Sequence, residues 1–217
     1  DPRVFLAGDS MHLFTPTGGF GMNTGIDDAS NLSWKLAAML QGWGGARLLS
    51  SYEDERMPIA VRNTNAARQL TANIGDTDVD PAIEEKTPAG EAARRAAAAM
   101  LSGFGEQFAS IGVQLGARYD GSPVISPDGA APADSLIEYH PTSVPGGRTP
   151  HFWLDEKHEI GGSLYDQLGN GFTLLRFGRH PPNASAIVDA AAARSIPLTV
   201  LDVVHADARD LYQCDLA

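Results

Sequence analysis

The stretch RVFLAGDSMHLFTPTGGFGMNTGIDDASNLSWKLA, from Arg3 to Ala37, decides the fold of this chain. The apolar run Arg3–Ala7 is typical of a short buried strand, which we expect to end at Gly8 and to place Asp9 at its carboxyl end. A glycine-rich loop follows, and from Thr24 to Gly42 apolar residues recur at helical spacing. This order of strand, glycine loop and helix is typical of nucleotide-cofactor sites.

Both ends of that helix carry terminus signals. Thr24 with Asp27 three residues later resembles a capping box, and Gly42 suits the position just after the last turn. We expect Asp27 and Asp28 to be structural residues of the first turn, where the helix dipole favours acidic side chains.

Two further helices are predicted before residue 105. Apolar residues at helical spacing extend from Leu48 to about Gly75, with a kink or a break expected at Pro58. Residues 76–88 are acidic and contain proline, as a linker does, and the alanine-rich residues 90–104 predict a third helix. Residues interpreted as structural on the surface of the second helix are Tyr52, Glu55 and Arg56.

The C-terminal part alternates between strand and helix patterns. Residues 119–135 are rich in glycine and proline, as at a domain boundary. Strands are predicted at Phe172–Phe177 and Leu198–Val204, with a helix at Ala184–Arg194 between them and a shorter helix at Ser163–Leu168. A strand, helix and strand in this order imply two parallel strands joined by a right-handed crossover.

Composition and charge exclude several classes of function. The chain has 217 residues, a hydrophobic fraction of 43% and a net charge of −11. We therefore expect neither nucleic acid nor a membrane surface as a partner. The single cysteine, Cys214, leaves no internal disulfide, which favours a reducing, cytoplasmic setting.

The opening stretch suits a flat ligand with a negatively charged edge. A carboxylate at the position of Asp9 accepts hydrogen bonds from sugar or polyol hydroxyls. Glycines at 18, 19 and 21 let the backbone approach the ligand closely, and their amides lead into a helix N-terminus, whose dipole favours negative charge. Gly8-Asp9 alone is more typical of an ordinary turn with a capping aspartate, but the longer pattern is far more specific.

That pattern is R-V-F-L-A-G-D, then P-x-G-G-x-G-M-N, then G-I-D-D-A-x-N-L-x-W-K-L-A, and it resembles the FAD-dependent aromatic hydroxylases, class A flavoprotein monooxygenases similar to phenol hydroxylase. The resemblance implies that Asp9 binds the flavin ribityl chain. It also implies that the carbonyl of Pro16, the one implied catalytic residue, lies near the reactive edge of the isoalloxazine, and that the amides of Gly21, Met22 and Asn23 face N1 and O2. The implied cofactor-binding residues are Gly8, Asp9, Pro16, Gly18, Gly19, Gly21, Met22 and Asn23.

The resemblance further implies the reaction. In such enzymes NAD(P)H reduces FAD, O2 adds to give a flavin C4a-hydroperoxide, and oxygen is transferred to a phenolic ring. Expected partners are a small aromatic substrate and further copies of the chain, as a homodimer or higher homo-oligomer. Two alternatives stay open: a non-catalytic dimerisation module of such an enzyme, and an FAD oxidoreductase without oxygen transfer.

The second half resembles the thioredoxin-like domain of the phenol hydroxylase branch, in GGRTPHFWL (146–154) and SLYDQLGNGFTLLRF (163–177). Without a Cys-x-x-Cys pair, a structural role is expected. The implied fold is α/β, or α+β within this fragment: residues 1–112 form the helical C-terminal part of a Rossmann-like FAD-binding domain, 113–145 a connecting segment, and 146–217 an incomplete thioredoxin-like domain.

The chain is expected to be a C-terminal fragment, truncated at both ends. It begins at Asp1 rather than methionine and stops directly after a strand–helix pattern. A G-x-G-x-x-G fingerprint for the FAD pyrophosphate is not found in it, so that motif and the substrate-selecting residues are expected elsewhere in the enzyme.

Other candidate residues carry weaker signals. The six histidines lack metal-ligand spacing, so no metal is expected. His12 either touches the flavin loop or is a capped loop histidine. Trp34 is interpreted as a packing residue, and Arg118 and Tyr119 are further candidates for the active-site region.

Overall fold

The computed structural model describes residues 3–75, 78–103, 109–155, 157–205 and 208–212. Its helices, numbered in chain order, are α1 Phe20–Leu40, α2 Arg47–Gly75, α3 Pro88–Ser102, α4 Ile111–Leu115, α5 Leu164–Gln167, α6 Ser185–Ala192 and α7 Ala208–Tyr212. The strands are β1 Phe172–Phe177 and β2 Leu198–Val203, and 3-10 turns lie at Gly8–Ser10, Thr17–Gly19 and Pro81–Glu84. The described residues therefore form a helix-rich α/β structure with a small sheet.

The segment Arg3–Ala7 is not the predicted strand. Val4 and Leu6 are 66% and 53% exposed, and no residue that the structure describes forms a β ladder with this segment. A strand needs a neighbour to share its backbone hydrogen bonds, and apolar, β-prone residues alone do not supply one.

Helix α1 begins at Phe20 rather than at Thr24, so the predicted capping box of Thr24 and Asp27 is wrong. Thr24 is buried, and its hydroxyl accepts a hydrogen bond from Asn63 Nδ2 of α2 at 3.0 Å. Asp28 likewise lies well inside the helix and not in its first turn. The cause is the 3-10 turn ahead of Phe20, which continues directly into the helix.

The predicted end of α1 is confirmed. Gly42 has φ 82°, its N–H donates to the carbonyl of Met39, and the N–H of Trp43 donates to the carbonyl of Ala38. This is the Schellman pattern, in which a left-handed glycine satisfies the last carbonyls of a helix.

Helix α2 continues through Pro58, so of the two predicted possibilities the break is wrong and the kink stays a prediction. Proline removes one helical hydrogen bond, but the buried side chains on both sides of it, Ile59 among them, keep the helix packed. Helix α3 begins at Pro88, where the hydroxyl of Thr87 accepts from the N–H of Gly90 at 3.2 Å. It ends at Ser102, and Phe104 of the predicted helix lies outside the described residues, as do residues 76 and 77 of the predicted linker.

The C-terminal strand–helix–strand prediction is confirmed. Strands β1 and β2 are parallel, with Phe172 opposite Leu198 and Phe177 opposite Val203, and α6 lies between them in sequence. Inward-facing residues of both strands pack with those of neighbouring segments in one hydrophobic core, formed by Phe152, Leu164, Leu175, Phe177, Val203, Ala208 and Tyr212.

The chain divides into two compact units. The first consists of Asp1–Ser33, Tyr52–Ala117 and Ala133–Tyr139, and the second of Trp34–Ser51, Arg118–Pro132 and His140–Ala217. The core of the first unit contains Phe20, Ala66, Ala67, Leu70 and Val113. The predicted domain division at residues 112 and 146 stays a prediction. None of the described helices has the length and hydropathy of a membrane-spanning segment.

Candidate functional site

Gly8 and Asp9 lie in a 3-10 turn that packs on helix α1. Gly8 has φ 58°, and a Cβ added at Gly25 of α1 would lie only 3.3 Å from the Cα of Gly8. Asp9 is exposed, and its carboxylate has no hydrogen bond or ion pair with any residue that the structure describes. The turn therefore presents a carboxylate at the surface in a form that can accept hydrogen bonds from a ligand.

The buried carboxylate of Asp28 holds this turn. Its Oδ2 accepts a hydrogen bond from the N–H of Gly8 at 3.0 Å and lies 2.7 Å from Nε2 of His12. Its Oδ1 accepts from Nε of Arg56 on α2 at 2.7 Å, and the two paired side chains are 0% and 1% exposed. Because Gly8 directly precedes Asp9, the Asp28 carboxylate fixes the backbone that carries the exposed carboxylate.

His12 bonds to helix α1 and is nearly enclosed. Its side chain is 7% exposed, and its ring meets that of Phe14 edge-on, with 5.1 Å between centroids. Its Nδ1 is buried without a hydrogen-bond partner among the described residues. Of the two interpretations of His12, the structural one is therefore supported, with the Asp28 carboxylate as the partner.

The glycine loop forms a 3-10 turn ahead of α1. Gly18 and Gly19 have φ of 82° and 67°, and the carbonyl of the exposed Pro16 accepts a hydrogen bond from the N–H of Gly19 at 3.3 Å. A Cβ on Gly18 would lie 2.7 Å from the ring of the buried Phe20, whereas one on Gly19 would meet no atom within 4 Å. Gly18 is thus needed for packing, while Gly19 borders open space.

Gly21, Met22 and Asn23 lie within the first turns of α1, not ahead of the helix. Amides of a first turn lack a carbonyl partner inside the helix, and the dipole there favours negative charge. Met22 is 74% exposed, and Nδ2 of Asn23 donates to the carbonyl of Gly19 at 2.9 Å. The structure therefore brings the eight predicted cofactor residues into two adjoining segments, the Gly8 turn and the loop that begins α1.

Threonine hydroxyls join the glycine loop to helix α2. Oγ1 of Thr71 lies 2.9 Å from Oγ1 of Thr15 and 2.9 Å from Oγ1 of Thr17, the two residues that flank Pro16. Thr71 also donates to the carbonyl of Ala67 at 3.0 Å. This cluster was not predictable from the sequence, because threonines 54 and 56 residues apart meet only in the fold.

Polar residues between α1 and α2 are more deeply buried than predicted. Glu55 and Arg56, predicted on a helix surface, are 3% and 1% exposed, and Asn31 Nδ2 donates to Glu55 Oε2 at 2.7 Å. Their structural role is supported, but the surface location is wrong because α1 covers them. The available signal was the spacing of Asp28, Asn31 and Lys35, which places these three residues on one face of α1.

Tyr52 ties the N-terminal segment to α2. Its hydroxyl donates to the carbonyl of Leu6 at 2.7 Å, and its ring meets that of Phe5 edge-on. Burial raises the pKa of Tyr52, the nearby Asp28 carboxylate raises this pKa further, and Arg56 lowers it. Tyr52 is therefore a protonated donor at neutral pH.

The remaining candidates lie in the second unit. Trp34 stacks on Trp43, with ring centroids 6.4 Å apart and planes at 17°, as expected of a packing residue. Arg118 donates to the carboxylate of Asp120 and to the carbonyls of residues 144 and 145, so its contacts stay within that unit. No cluster of His, Cys, Asp and Glu that could hold a metal ion occurs in the part of the chain that the structure describes.

Comparisons with known proteins match this arrangement to flavoproteins. Residues 1–67 match a family model described as an FAD binding domain. The FAD-dependent monooxygenase opdD of Penicillium oxalicum is 33% identical over 97% of this chain and 41% of its own length. The 2,4-dichlorophenol 6-monooxygenase of Delftia acidovorans is 33% identical over 92% of this chain and 37% of its own length.

A solved structure extends the match to three dimensions. It is that of the rebeccamycin biosynthetic enzyme RebC with reduced flavin, at a TM-score of 0.85 and 36% identity, and it covers 99% of this chain and 39% of that chain. The similarity therefore reaches far beyond residues 1–67. The chain spans about two fifths of the length of the curated relatives it matches.

Proposed function

The chain is related over nearly its whole length to the FAD-dependent aromatic hydroxylases, and we propose on that premise that the enzyme containing it hydroxylates phenolic or related aromatic compounds with NAD(P)H and O2. In this enzyme the chain supplies the part of the site that meets the ribityl chain and the isoalloxazine ring. The observation that carries the proposal is the exposed carboxylate of Asp9 on a turn fixed by the buried Asp28.

The residues present fit a bound FAD. The Asp9 carboxylate has no partner among the described residues, and ribityl hydroxyls are donors that such a carboxylate accepts. No atom lies within 4 Å of the position of a Cβ on Gly19, so a ligand can approach the backbone closely there. The first turn of α1 adds amides and a dipole that favour a negatively charged ring edge.

Each of these groups has a distinct role in binding and orientation. Asp9, with the backbone of Gly8, holds the ribityl chain. The loop of Pro16, Gly18 and Gly19 lines the ring and directs the Pro16 carbonyl to its reactive edge. Amides that donate toward N1 and O2 belong to Gly21, Met22 and Asn23. When bound, the flavin supplies the transfer of electrons from NAD(P)H and the activation of O2.

We assign the second half of the chain to a structural role. The division proposed is an FAD-binding part at 1–112, a connecting segment at 113–145 and a thioredoxin-like domain at 146–217. The parallel pair β1 and β2 with its crossover helix supports such a domain. The chain has one cysteine, so this domain has no Cys-x-x-Cys pair for thiol exchange, and we propose that it packs against the hydroxylase core or a second subunit of a homo-oligomer.

Turnover tests this function. A polypeptide of the length of the relatives that contains these 217 residues is supplied with FAD, NAD(P)H, O2 and a panel of phenols, and aromatic products are identified. The proposal expects that at least one phenol stimulates NAD(P)H oxidation and gains a hydroxyl group. Oxidation that no phenol stimulates, with peroxide as the only product, would indicate an oxidoreductase without oxygen transfer. No flavin binding at all would indicate the non-catalytic module.

A further inference from the structure

Thr71 of α2 contacts the glycine loop on both sides of Pro16. Its Oγ1 lies 2.9 Å from Oγ1 of Thr15 and 2.9 Å from Oγ1 of Thr17. The neighbouring Leu70 is buried and lies 3.2 Å from the position of a Cβ on Gly18. One turn of α2 therefore makes polar and apolar contacts with the same short loop.

All three hydrogen bonds of Thr71 can form at once. A hydroxyl has one proton and two acceptor lone pairs. Thr71 donates to the carbonyl of Ala67, which only accepts, and this leaves both lone pairs for the hydroxyl protons of Thr15 and Thr17. The backbone is thus anchored one residue before and one residue after Pro16.

Few other contacts fix the direction of the Pro16 carbonyl. Among the described residues this carbonyl accepts one hydrogen bond, from the N–H of Gly19, and that bond is long at 3.3 Å. Gly18 and Gly19 both have positive φ, and glycine crosses between backbone conformations at low cost. The threonine contacts are therefore the polar contacts best placed to restrict this peptide.

We propose that Thr71 is a positioning residue, whose hydroxyl orients the Pro16 carbonyl toward the reactive edge of the flavin. This inference rests on the proposed function. It assigns no chemical step to Thr71, which acts only through the loop. The consequence is that loss of the hydroxyl should alter the flavin environment and the yield of hydroxylated product without unfolding the enzyme.

The test compares Thr71→Val, which keeps the shape and removes the hydroxyl, with Thr71→Ser, which keeps the hydroxyl. Thr64→Val, two turns earlier on α2, is the matched control. The FAD-loaded polypeptide of the length of the relatives is assayed for FAD affinity, the visible spectrum of bound flavin, product formed per NAD(P)H and the thermal midpoint. For Thr71→Val we expect about tenfold weaker FAD binding, or ~1.4 kcal/mol, with a changed spectrum and less product per NAD(P)H. Thr71→Ser and Thr64→Val should match the wild type.

Contrary outcomes separate this inference from the function on which it rests. If the wild type binds FAD and Thr71→Val has the same affinity, spectrum and product yield, the role of Thr71 is wrong and the function stands. A lower thermal midpoint with unchanged spectrum and yield gives Thr71 a purely structural role and also overturns the inference. If the wild type does not bind FAD, the proposed function and the role of Thr71 both fail.

Discussion

Removal of the Asp28 charge should destabilise the first unit strongly. The carboxylate is 0% exposed and pairs with Arg56, which is 1% exposed, at 2.7 Å. In Asp28→Asn the side chain keeps its size and one oxygen, but the buried guanidinium of Arg56 loses the charged carboxylate that pairs with it at 2.7 Å. Breaking a buried pair in this way costs about 3–5 kcal/mol. For a chain of this size, that corresponds to a fall in the thermal midpoint of about 6–20 °C.

The assay is thermal and urea unfolding of the purified chain, followed by far-ultraviolet circular dichroism. Asp27→Asn is the matched control, because Asp27 is the exposed neighbour on the same helix. This variant should change the free energy of unfolding by no more than about 0.5 kcal/mol. The double variant Asp28→Asn with Arg56→Met should recover part of the loss, since it removes both charges of the buried pair instead of one. The reasoning is refuted if Asp28→Asn costs under about 1 kcal/mol or no more than Asp27→Asn.

Two further predictions concern the glycine loop and a surface ion pair. Gly19→Ala should lower the free energy of unfolding by about 1–2 kcal/mol, because alanine is strained in the left-handed conformation even where space is open. Gly18→Ala should lower it clearly more, because its Cβ would lie 2.7 Å from the Phe20 ring. Equal decreases for the two variants would contradict the packing role of Gly18. The hydrogen bonds from Arg62 hold the pKa of Asp134 below its ordinary value of 3.8, against an opposing effect of partial burial. As the pH falls, the Asp134 carboxylate is therefore protonated in the unfolded chain before it is protonated in the folded chain. The stability that the ion pair contributes is present above pH 3.8 and is lost as the pH falls below it. In Asp134→Asn the free energy of unfolding should fall less steeply with decreasing pH in this acid range than in the wild type, whereas Asp27→Asn should behave like the wild type. The same steepness for Asp134→Asn and the wild type would count against the ion pair.

Elements whose signals are local were predictable from the sequence. The β1–α6–β2 order follows from short apolar runs bounded by turn residues, and the end of α1 follows from Gly42, because a left-handed glycine closes a helix through carbonyls only a few residues away. The candidate cofactor residues of the Gly8 turn and the glycine loop also belong to one continuous sequence pattern, and their role in binding stays a prediction.

Features that depend on distant partners were not predictable. Arg3–Ala7 has the composition of a strand, but no described residue forms a β ladder with it. The burial of Asp28 depends on Arg56, 28 residues away, and the Thr71 cluster depends on contacts over more than 50 residues. Local propensity also placed the start of α1 four residues too late, since the 3-10 turn that leads into Phe20 has no strong signal of its own.

The most direct test of the flavin site is an FAD titration of the enzyme that contains this chain, with Asp9→Asn beside Asp27→Asn. Flavin fluorescence and the visible spectrum report binding. The carboxylate of Asp9 accepts charged hydrogen bonds from the ribityl hydroxyls in the proposed complex, so its loss should weaken binding by about 10-fold to 100-fold, the equivalent of roughly 1.5–3 kcal/mol. Asp27→Asn should bind FAD like the wild type. Equal FAD affinity for Asp9→Asn and Asp27→Asn would contradict the assignment of Asp9 to the flavin.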